Sequence, residues 1–205
     1  MFTGLIRYMG EITNLNKGPD TLSLGVKSSE LAKLTKIKDS ISVNGICLTI
    51  AENDKSQLQF DLVQETIDRS TVKNWKIGQF LHLEPAMQLG DRLDGHLVSG
   101  HVDAVIRVLS VEKREESKVV SFLLPEDLSH YVIEKGSVTL DGVSLTVASN
   151  EDIGNGRELF SVWLIPTTLE NTNLDLLSVN DEVNLEVDLI GKYVAKNIKR
   201  SVYES

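Results

Sequence analysis

Apolar and polar residues alternate along most of this chain, in short runs separated by turn residues. Alternation with a period of two is typical of strands that are buried on one face. In the first half of the chain this pattern predicts strands at residues 5–15, 21–26, 40–51, 57–63 and 79–84. In the second half it predicts strands at residues 102–111, 118–124, 137–148, 158–165 and 182–188. The chain is therefore expected to be mainly β.

Three short segments and one longer segment have helical character. The short ones are residues 28–35, which begin with serines able to cap a helix, residues 65–75, and residues 126–134, which have Pro125 and two acidic residues at their start. The longer one is a C-terminal helix over residues 189–202. Its apolar residues Ile190, Val194, Ile198 and Val202 recur every four positions. This stripe fits either a helix packed on its own domain or an oligomer seam.

The second half of the sequence repeats the first. Residues 42–50 (SVNGICLTI) return as residues 139–147 (TLDGVSLTV), and residues 81–84 (LHLE) return as residues 183–186 (VNLE). Residues 60–71 (FDLVQETIDRST) also return, with a short insertion, as residues 160–173 (FSVWLIPTTLENTN). Landmarks that recur in the same order indicate two homologous domains. We place them at residues 1–96 and 97–188, followed by an oligomerisation helix at residues 189–205.

Five or six short strands in each repeat favour a small closed antiparallel barrel, because closure removes exposed sheet edges. An open sandwich is the alternative. Gly45 and Gly142 interrupt strong strand patterns, so each marks a hairpin turn, a bulge, or a close approach of backbone to a ligand. Between the repeats, Asn44 and Cys47 are replaced by Asp141 and Ser144. This difference indicates that the two domains divide the chemical work.

Charge and composition exclude several classes of protein. The 205-residue chain has a net charge of −9, with no basic cluster that could neutralise nucleic-acid phosphates. It has no apolar run of the roughly 20 residues that span a bilayer, and its first residues do not resemble a signal peptide. We therefore expect a cytoplasmic protein with no nucleic-acid or membrane partner. Its single cysteine and four histidines show no zinc-ligand spacing, so no metal site is predicted.

Several of these stretches together resemble the riboflavin synthase family over almost the full length. They are the start MFTG, the blocks at residues 42–50 and 135–147, residues 89–93 (LGDRL), the junction at residues 95–103 (GHLVSGHVD) and the strand at residues 184–188. The resemblance implies two tandem six-stranded antiparallel Greek-key barrels and a C-terminal helix that joins a homotrimer. It also implies that two molecules of 6,7-dimethyl-8-ribityllumazine are converted into riboflavin and 5-amino-6-(D-ribitylamino)uracil by transfer of a four-carbon unit. No cofactor is implied, and lumazine synthase is a candidate partner.

The resemblance also implies which residues form the site. The catalytic candidates are His101, Ser144, Cys47, Asp141 and Asp188, and the substrate-binding candidates are Phe2, Gly4, Thr49, Thr66, His96, Gly100, Lys135, Thr146 and Thr168. Each has a simpler structural interpretation: a buried small hydrophobe for Cys47, a structural imidazole for His101, and a solvated turn acid for Asp141.

Two other functions fit parts of this pattern. Proteins of the same fold bind a lumazine or flavin without catalysis and act as light-emitting antennae, but they tend to lose the junction histidines and second-block hydroxyls that this chain retains as His96, His101, Ser144 and Thr146. A flavin-binding reductase barrel would need a nicotinamide-binding domain, and no glycine-rich strand-to-helix turn is present. An enzyme is therefore the favoured interpretation.

Overall fold

The computed structural model describes residues 1–154 and 157–203 and contains two closed six-stranded antiparallel barrels in tandem. The strands of the first barrel, β1 to β6, are Tyr8–Lys17, Thr21–Lys27, Ser40–Val43, Ile46–Asn53, Gln57–Val63 and Phe80–Pro85. Those of the second barrel, β7 to β12, are Ala104–Lys113, Lys118–Leu124, Ser137–Leu140, Val143–Asp152, Glu158–Leu164 and Glu182–Val187. The predicted mainly β fold with two barrels is confirmed, and the open sandwich is excluded.

Both barrels have the same strand order and the same irregularities. The order around the first barrel is β1-β2-β5-β4-β3-β6, and the second barrel follows it as β7-β8-β11-β10-β9-β12. Because β2 pairs with β5, the connection encloses the β3-β4 hairpin in a Greek key. The register shifts between Ile12 and Asn14 in β1 and between Val108 and Ser110 in β7. Such bulges bend a strand and increase its twist, which helps a small sheet to close.

Each barrel encloses its own apolar core. Leu24 and Phe60 are fully buried in the first barrel, and Phe122 and Phe160 in the second. The rings of Phe122 and Phe160 stack with centroids 5.3 Å apart. Burial of each such side chain stabilises the fold by roughly 1.5–3 kcal/mol. The apolar residues of the alternating pattern are therefore those that stabilise the two barrels.

The Asn-Gly and Asp-Gly pairs form hairpin turns, so each long strand predicted around them is two strands. Asn44 and Gly45 have φ angles of 46° and 80°, and Asp141 and Gly142 have 45° and 83°. Two consecutive positive φ angles are typical of a type I′ turn. The two turns also meet: a Cβ atom on Gly45 would lie 2.7 Å from the backbone nitrogen of Gly142. Glycine therefore lets the barrels approach closely at this point.

The short helices differ in detail from the prediction. They are α1 (Ser29–Leu34), α2 (Gln64–Asp68) and α3 (Pro166–Asn171), and a separate 3₁₀ turn, Thr71–Asn74, follows α2. The segment predicted as a helix at residues 126–134 is a 3₁₀ helix, Glu126–Tyr131. The expected serine cap of α1 is wrong, because the Ser28 hydroxyl makes no capping bond and donates to the carbonyl oxygen of Met9 at 3.3 Å.

The C-terminal helix α4 spans Leu189–Tyr203. A salt bridge of 2.7 Å between Lys192 and Asp103 ties its first turns to the second barrel. Ile190 and Val194 nevertheless remain 60% and 52% exposed, so their part of the apolar stripe is not covered by this chain's own barrel. The side chain of Val202 lies outside the described residues. Within residues 1–154 and 157–203, no helix combines the length and apolar character needed to cross a bilayer.

Candidate active site

The segment that leads into each barrel reaches across to the other barrel. We call residues 1–6 the first leading segment and residues 96–102 the second. The carbonyl oxygen of Gly4 accepts a hydrogen bond from the Ser144 N–H at 2.8 Å, and that of Gly100 accepts one from the Cys47 N–H at 2.8 Å. Between these contacts, Phe2 and Val98 pair as a short antiparallel bridge. The two repeats are thus related by a local twofold arrangement at this bridge.

A buried glutamate anchors each leading segment to its own barrel. Glu84 accepts hydrogen bonds from the N–H and hydroxyl of Thr3, at 2.7 and 2.6 Å, and from the Gly4 N–H at 3.0 Å. Glu186 accepts the corresponding three bonds from Ser99 and Gly100, at 2.6, 2.7 and 2.9 Å. Burial raises the pKa of Glu84, while its hydrogen bonds to Thr3 and Gly4 and the charge of Arg7 oppose the rise. The two carboxylates therefore set the position of both segments.

The two contacts with the opposite barrel require glycine. Gly4 and Gly100 have φ angles of 77° and 79°, in the left-handed region that other residues adopt at a cost. A Cβ atom on Gly4 would lie 2.6 Å from the Ser144 Cβ, and one on Gly100 would lie 2.7 Å from the Cys47 Cβ. Gly4 and Gly100 thus allow the backbone to lie directly against Ser144 and Cys47, an equivalent pair of positions at which the repeats differ chemically.

A pocket of about 250 Å³ opens on the first barrel at the second leading segment. It is lined by Ile46, Cys47, Glu65, Thr66, Arg69, Ser70, Gly100, His101 and Val102. The structure therefore brings together four of the residues predicted from the sequence: Cys47, Thr66, Gly100 and His101. Thr49, two residues farther along β4 and on the same strand face as Cys47, is exposed. His101 is also exposed, so its imidazole is accessible.

The equivalent position on the second barrel has a different chemical environment. The half-buried Ser144 hydroxyl lies 2.7 Å from Nδ1 of His96, whose Nε2 lies 3.1 Å from the hydroxyl of Thr139. Burial lowers the pKa of His96, and the charge of Asp188 acts in the opposite direction. A neutral imidazole beside a hydroxyl can take the hydroxyl proton, which is the usual arrangement of an activated nucleophile or a proton shuttle.

Two further predicted residues keep the symmetry of the repeats. Thr66 lies on α2 and Thr168 lies on α3. The carbonyl oxygen of Thr66 accepts a hydrogen bond from the Ser70 hydroxyl at 2.5 Å, and that of Thr168 accepts one from the Thr172 hydroxyl at 2.7 Å. Thr146 is exposed on β10, as Thr49 is on β4.

Asp141 lies apart from both positions. It is buried in the β9-β10 turn, at the floor of a groove between the barrels of about 760 Å³ that is also lined by Asn44, Thr71, Trp75, Phe80, Arg107 and Glu182. Its Oδ1 accepts a hydrogen bond from the Asn184 N–H at 2.9 Å. Burial raises the pKa of Asp141 to about 7, although a hydrogen bond to Asn184 opposes the rise. The hydrogen bond gives Asp141 a structural role within the second barrel, where it ties the β9-β10 turn to β12.

Three other predicted residues have evident structural contacts. Asp188 directly precedes α4, and its Oδ1 accepts the Ile190 N–H at 2.9 Å, which is the geometry of a helix N-cap. Lys135 is exposed, with Nζ 3.3 Å from the Ala148 carbonyl oxygen. The Phe2 side chain is fully buried. Substrate contacts of these residues stay predictions.

Sequence reasoning missed Glu84, Glu186 and Thr139. The repeated LHLE and VNLE blocks gave a signal for the two glutamates, because a carboxylate recurs at the same place in both strands. Thr139 gave a weaker signal, because a hydroxyl recurs at the equivalent Ser42 but a threonine in a strand is ordinary. Among the described residues, no three histidine, cysteine, aspartate or glutamate side chains cluster as metal ligands.

Comparison with known proteins places this arrangement in a family. The sequence matches the lumazine binding domain family twice, over residues 3–86 and 99–188. It is 40% identical to a riboflavin synthase of Mycobacterium tuberculosis over 198 residues, 96% of this chain and 97% of the relative. It is 33% identical to that of Bacillus subtilis over 201 residues, 98% of this chain and 91% of the relative.

Solved structures show the same fold at lower sequence identity. LumP in complex with riboflavin superposes with a TM-score of 0.80 at 23% identity, and its complex with 6,7-dimethyl-8-(1′-D-ribityl)lumazine with 0.79 at 22%. Each alignment covers 91% of this chain and 99% of the LumP chain. The paired barrels, the double family match and the full-length relatives agree, and the chain is an enzyme that belongs to the riboflavin synthase family.

Proposed function

We propose that this enzyme converts two molecules of 6,7-dimethyl-8-ribityllumazine into riboflavin and 5-amino-6-(D-ribitylamino)uracil. The observation that carries the proposal is that the same site occurs once on each barrel, with different reactive groups in each. Cys47 lies with His101 at the first barrel, and Ser144 lies with His96 at the second. A reaction whose donor and acceptor are the same compound needs two similar binding places with unequal chemistry, and this duplication supplies them.

The reaction balances without an external oxidant or reductant. One lumazine gives up a four-carbon unit and becomes the pyrimidinedione, and the other receives that unit as the new ring carbons of riboflavin. The transfer requires loss of a proton from an activated methyl group and addition of a nucleophile to a ring carbon. In this proposal His101 and His96 move such protons, and Cys47 and Ser144 add to or polarise a ring.

Binding relies on hydroxyls and backbone. The substrate carries no phosphate, and its ribityl chain offers hydroxyls that Thr49, Thr66, Thr146, Thr168 and Lys135 would bind. Gly4 and Gly100 let the backbone lie against Ser144 and Cys47, since a side chain at either glycine would collide with them. Holding two rings face to face contributes greatly to the rate, because effective molarities of well-oriented reactants reach about 10⁵ M or more.

The proposal includes a homotrimer joined through α4. Ile190 and Val194 are exposed along the helix, above an apolar groove that is also lined by Tyr131, Ile133 and Ala195. Another copy of the chain would cover this surface. Lumazine synthase, whose product would be the substrate here, is proposed as a further partner.

The test is to incubate the purified chain with 6,7-dimethyl-8-ribityllumazine alone and to separate the products by chromatography. We expect riboflavin and the pyrimidinedione in equal amounts, with no added cofactor. Tight binding of the lumazine without any product would instead favour the non-catalytic antenna function, which the similarity of the LumP fold keeps as the second candidate.

A further inference from the structure

His96 is held between two hydroxyl groups, one at each ring nitrogen. Its Nδ1 lies 2.7 Å from Oγ of Ser144, and its Nε2 lies 3.1 Å from Oγ1 of Thr139. Thr139 is only 1% exposed and His96 only 9% exposed. Water is therefore a poor substitute for either partner, and the ring depends on these two side chains for its hydrogen bonds.

The strand register fixes the position of Thr139. In the β9-β10 ladder Thr139 is directly opposite Ser144, and in the β9-β12 ladder it is opposite Glu186. Residues that are opposite one another point to the same face of a sheet, so Thr139 lies between the reactive hydroxyl and the anchoring carboxylate. The corresponding row in the first barrel consists of Cys47, Ser42 and Glu84.

We propose that Thr139 is a positioning residue for the second-barrel site: it binds Nε2 of His96 so that Nδ1 is directed at Ser144 and the ring can hold a proton taken through Ser144. The inference rests on the proposed function and deepens it, because it assigns the group that holds the proton at the second barrel. Ser144 and His96 are the groups that act, and Thr139 acts through His96.

The physical reason is that the two charge states of imidazole need different partners. A neutral ring has one N–H donor and one acceptor nitrogen, whereas a protonated ring has two donors. A hydroxyl can donate or accept, so Thr139 satisfies Nε2 in both states. Without this hydroxyl, neutral His96 can still place its single N–H at Nδ1, against Ser144, whereas protonated His96 would bury an Nε2–H with no partner. The protonated form would therefore lose more than the neutral form.

The charged groups around the ring complete the electrostatic environment. Asp188, at the end of β12, acts on His96 in the direction that favours protonation. Glu186 on β12 uses its carboxylate on Ser99 and Gly100, and Glu84 on β6 uses its carboxylate on Thr3 and Gly4. The Thr3 carbonyl oxygen accepts the backbone N–H of His96 at 3.2 Å, so it makes no bond to the ring. Asp188 therefore remains to stabilise protonated His96 when Thr139 is changed.

The test compares Thr139→Val, which keeps the shape and removes the hydroxyl, with Thr139→Ser, which keeps the hydroxyl. In the full-length chain, the pKa of His96 is measured by NMR titration of its ring nitrogens, and kcat and KM for the lumazine are measured against pH. For Thr139→Val we expect the pKa of His96 to fall by about one unit and kcat to fall about tenfold, with KM changed less than about twofold. Thr139→Ser should restore both values.

Ser42→Ala is the matched control, since it removes the equivalent hydroxyl of the first barrel and should leave the titration of His96 unchanged. Unchanged titration and kcat in Thr139→Val would overturn the proposal, and so would an equal loss in Thr139→Ser. If Thr139→Val does not fold, Thr139→Ala is measured by the same criteria. Because the titration needs no turnover, a wild-type chain that makes no riboflavin would refute the proposed function while the role of Thr139 toward His96 is still decided.

Discussion

His82 in the first barrel places Nδ1 2.8 Å from the backbone carbonyl oxygen of Asp141 in the second. A carbonyl oxygen only accepts, so Nδ1 carries the ring proton, and Nε2 accepts the Asn173 N–H at 3.0 Å. Asn184 is the repeat counterpart of His82 and makes the mirrored pair of bonds: Nδ2 donates to the Asn44 carbonyl oxygen at 2.9 Å, and Oδ1 accepts the Thr71 N–H at 2.8 Å. The barrels are thus joined by a histidine on one side and an asparagine on the other.

We expect His82→Asn to fold and to change the pH dependence of stability. Burial lowers the pKa of His82 from 6.5 to about 4, and the hydrogen bond to Asp141 only partly opposes the fall. The unfolded chain therefore binds a proton that the folded chain does not, and stability is lost as the pH falls from about 6.5 to about 4. The variant should lack this loss, which is on the order of 3 kcal/mol. Urea unfolding at pH 7.5 and 4.5 measures it, and an equally steep acid loss in the variant would contradict the assignment.

Asp141→Asn should change the pH dependence of stability in the opposite direction. The pKa of Asp141 is raised from 3.8 to about 7, so its stabilising contribution is complete below about pH 3.8 and is lost as the pH rises through 7. Asparagine keeps the acceptor for Asn184, as Asn44 does for His82 at 2.7 Å in the first barrel. We expect the variant to be more stable than the wild type at pH 8, by on the order of a few kcal/mol, and this gain to shrink toward pH 4. A gain that is equal at both pH values would point to an effect other than ionisation.

These two residues show where sequence reasoning reached its limit. The strands, the repeat and the two hairpin turns were predictable, because alternation and the Asn-Gly and Asp-Gly pairs are local signals. The burial of His82 and the position of Asp141 depend on how two barrels face each other, which no local pattern describes. The helix predicted at residues 126–134 is a shorter 3₁₀ helix, Glu126–Tyr131, and the sequence did not indicate this type, since proline and acidic residues favour the start of either type.

Candidate site residues were predictable to a similar extent. Cys47, Thr66, Gly100 and His101, which the resemblance implied as site residues, line one pocket, and their roles toward a substrate stay predictions. The pairing of His96 with Ser144 was not foreseen, because these residues are far apart in sequence and meet only when the second leading segment reaches β10.

The Ser144 hydroxyl should matter for turnover more than for binding. If it polarises the acceptor ring or passes a proton to His96, the interaction is made mainly in the transition state. Ser144→Ala is then expected to lower kcat by about 10²-fold with little change in riboflavin affinity. Steady-state kinetics and fluorescence titration measure the two quantities. Cys47→Ser is the comparison at the equivalent position, with a milder loss expected because a hydroxyl keeps the size and some hydrogen bonding. If Ser144→Ala lost affinity for riboflavin but kept a normal kcat, Ser144 would be a group that only holds the ligand.

Removal of α4 should change the assembly. Truncation after Asp188 deletes the exposed Ile190 and Val194 and leaves both barrels. By light scattering, we expect the full chain to be a trimer and the truncated chain to be mostly monomer. Lys192→Ala is a useful control, because it breaks the 2.7 Å bridge to Asp103 but keeps the apolar stripe. A truncated chain that remains trimeric would refute the role of the helix.

The first barrel alone should bind riboflavin only when its pocket is complete. A fragment of residues 1–96 lacks Gly100, His101 and Val102, which line the Cys47 pocket, whereas a fragment of residues 1–103 contains them. We expect the longer fragment to bind more tightly in a fluorescence titration. Binding by the shorter one should strengthen with fragment concentration, as a second copy supplies its own Thr3-Gly4 segment at Cys47. Equal affinities at every concentration would show that the second leading segment contributes nothing to the pocket.

The crossed leading segments also bear on how such a chain could arise. Glu84 and Glu186 each anchor a leading segment that contacts the opposite barrel. A repeat on its own would therefore hold a leading segment that has no second barrel to contact. Two identical copies around a twofold axis would satisfy each other through the same exchange. Gene fusion of such a symmetric dimer would leave every contact in place while freeing the two copies to mutate separately. A fused pair can inherit a divergence such as cysteine in one copy and serine in the other.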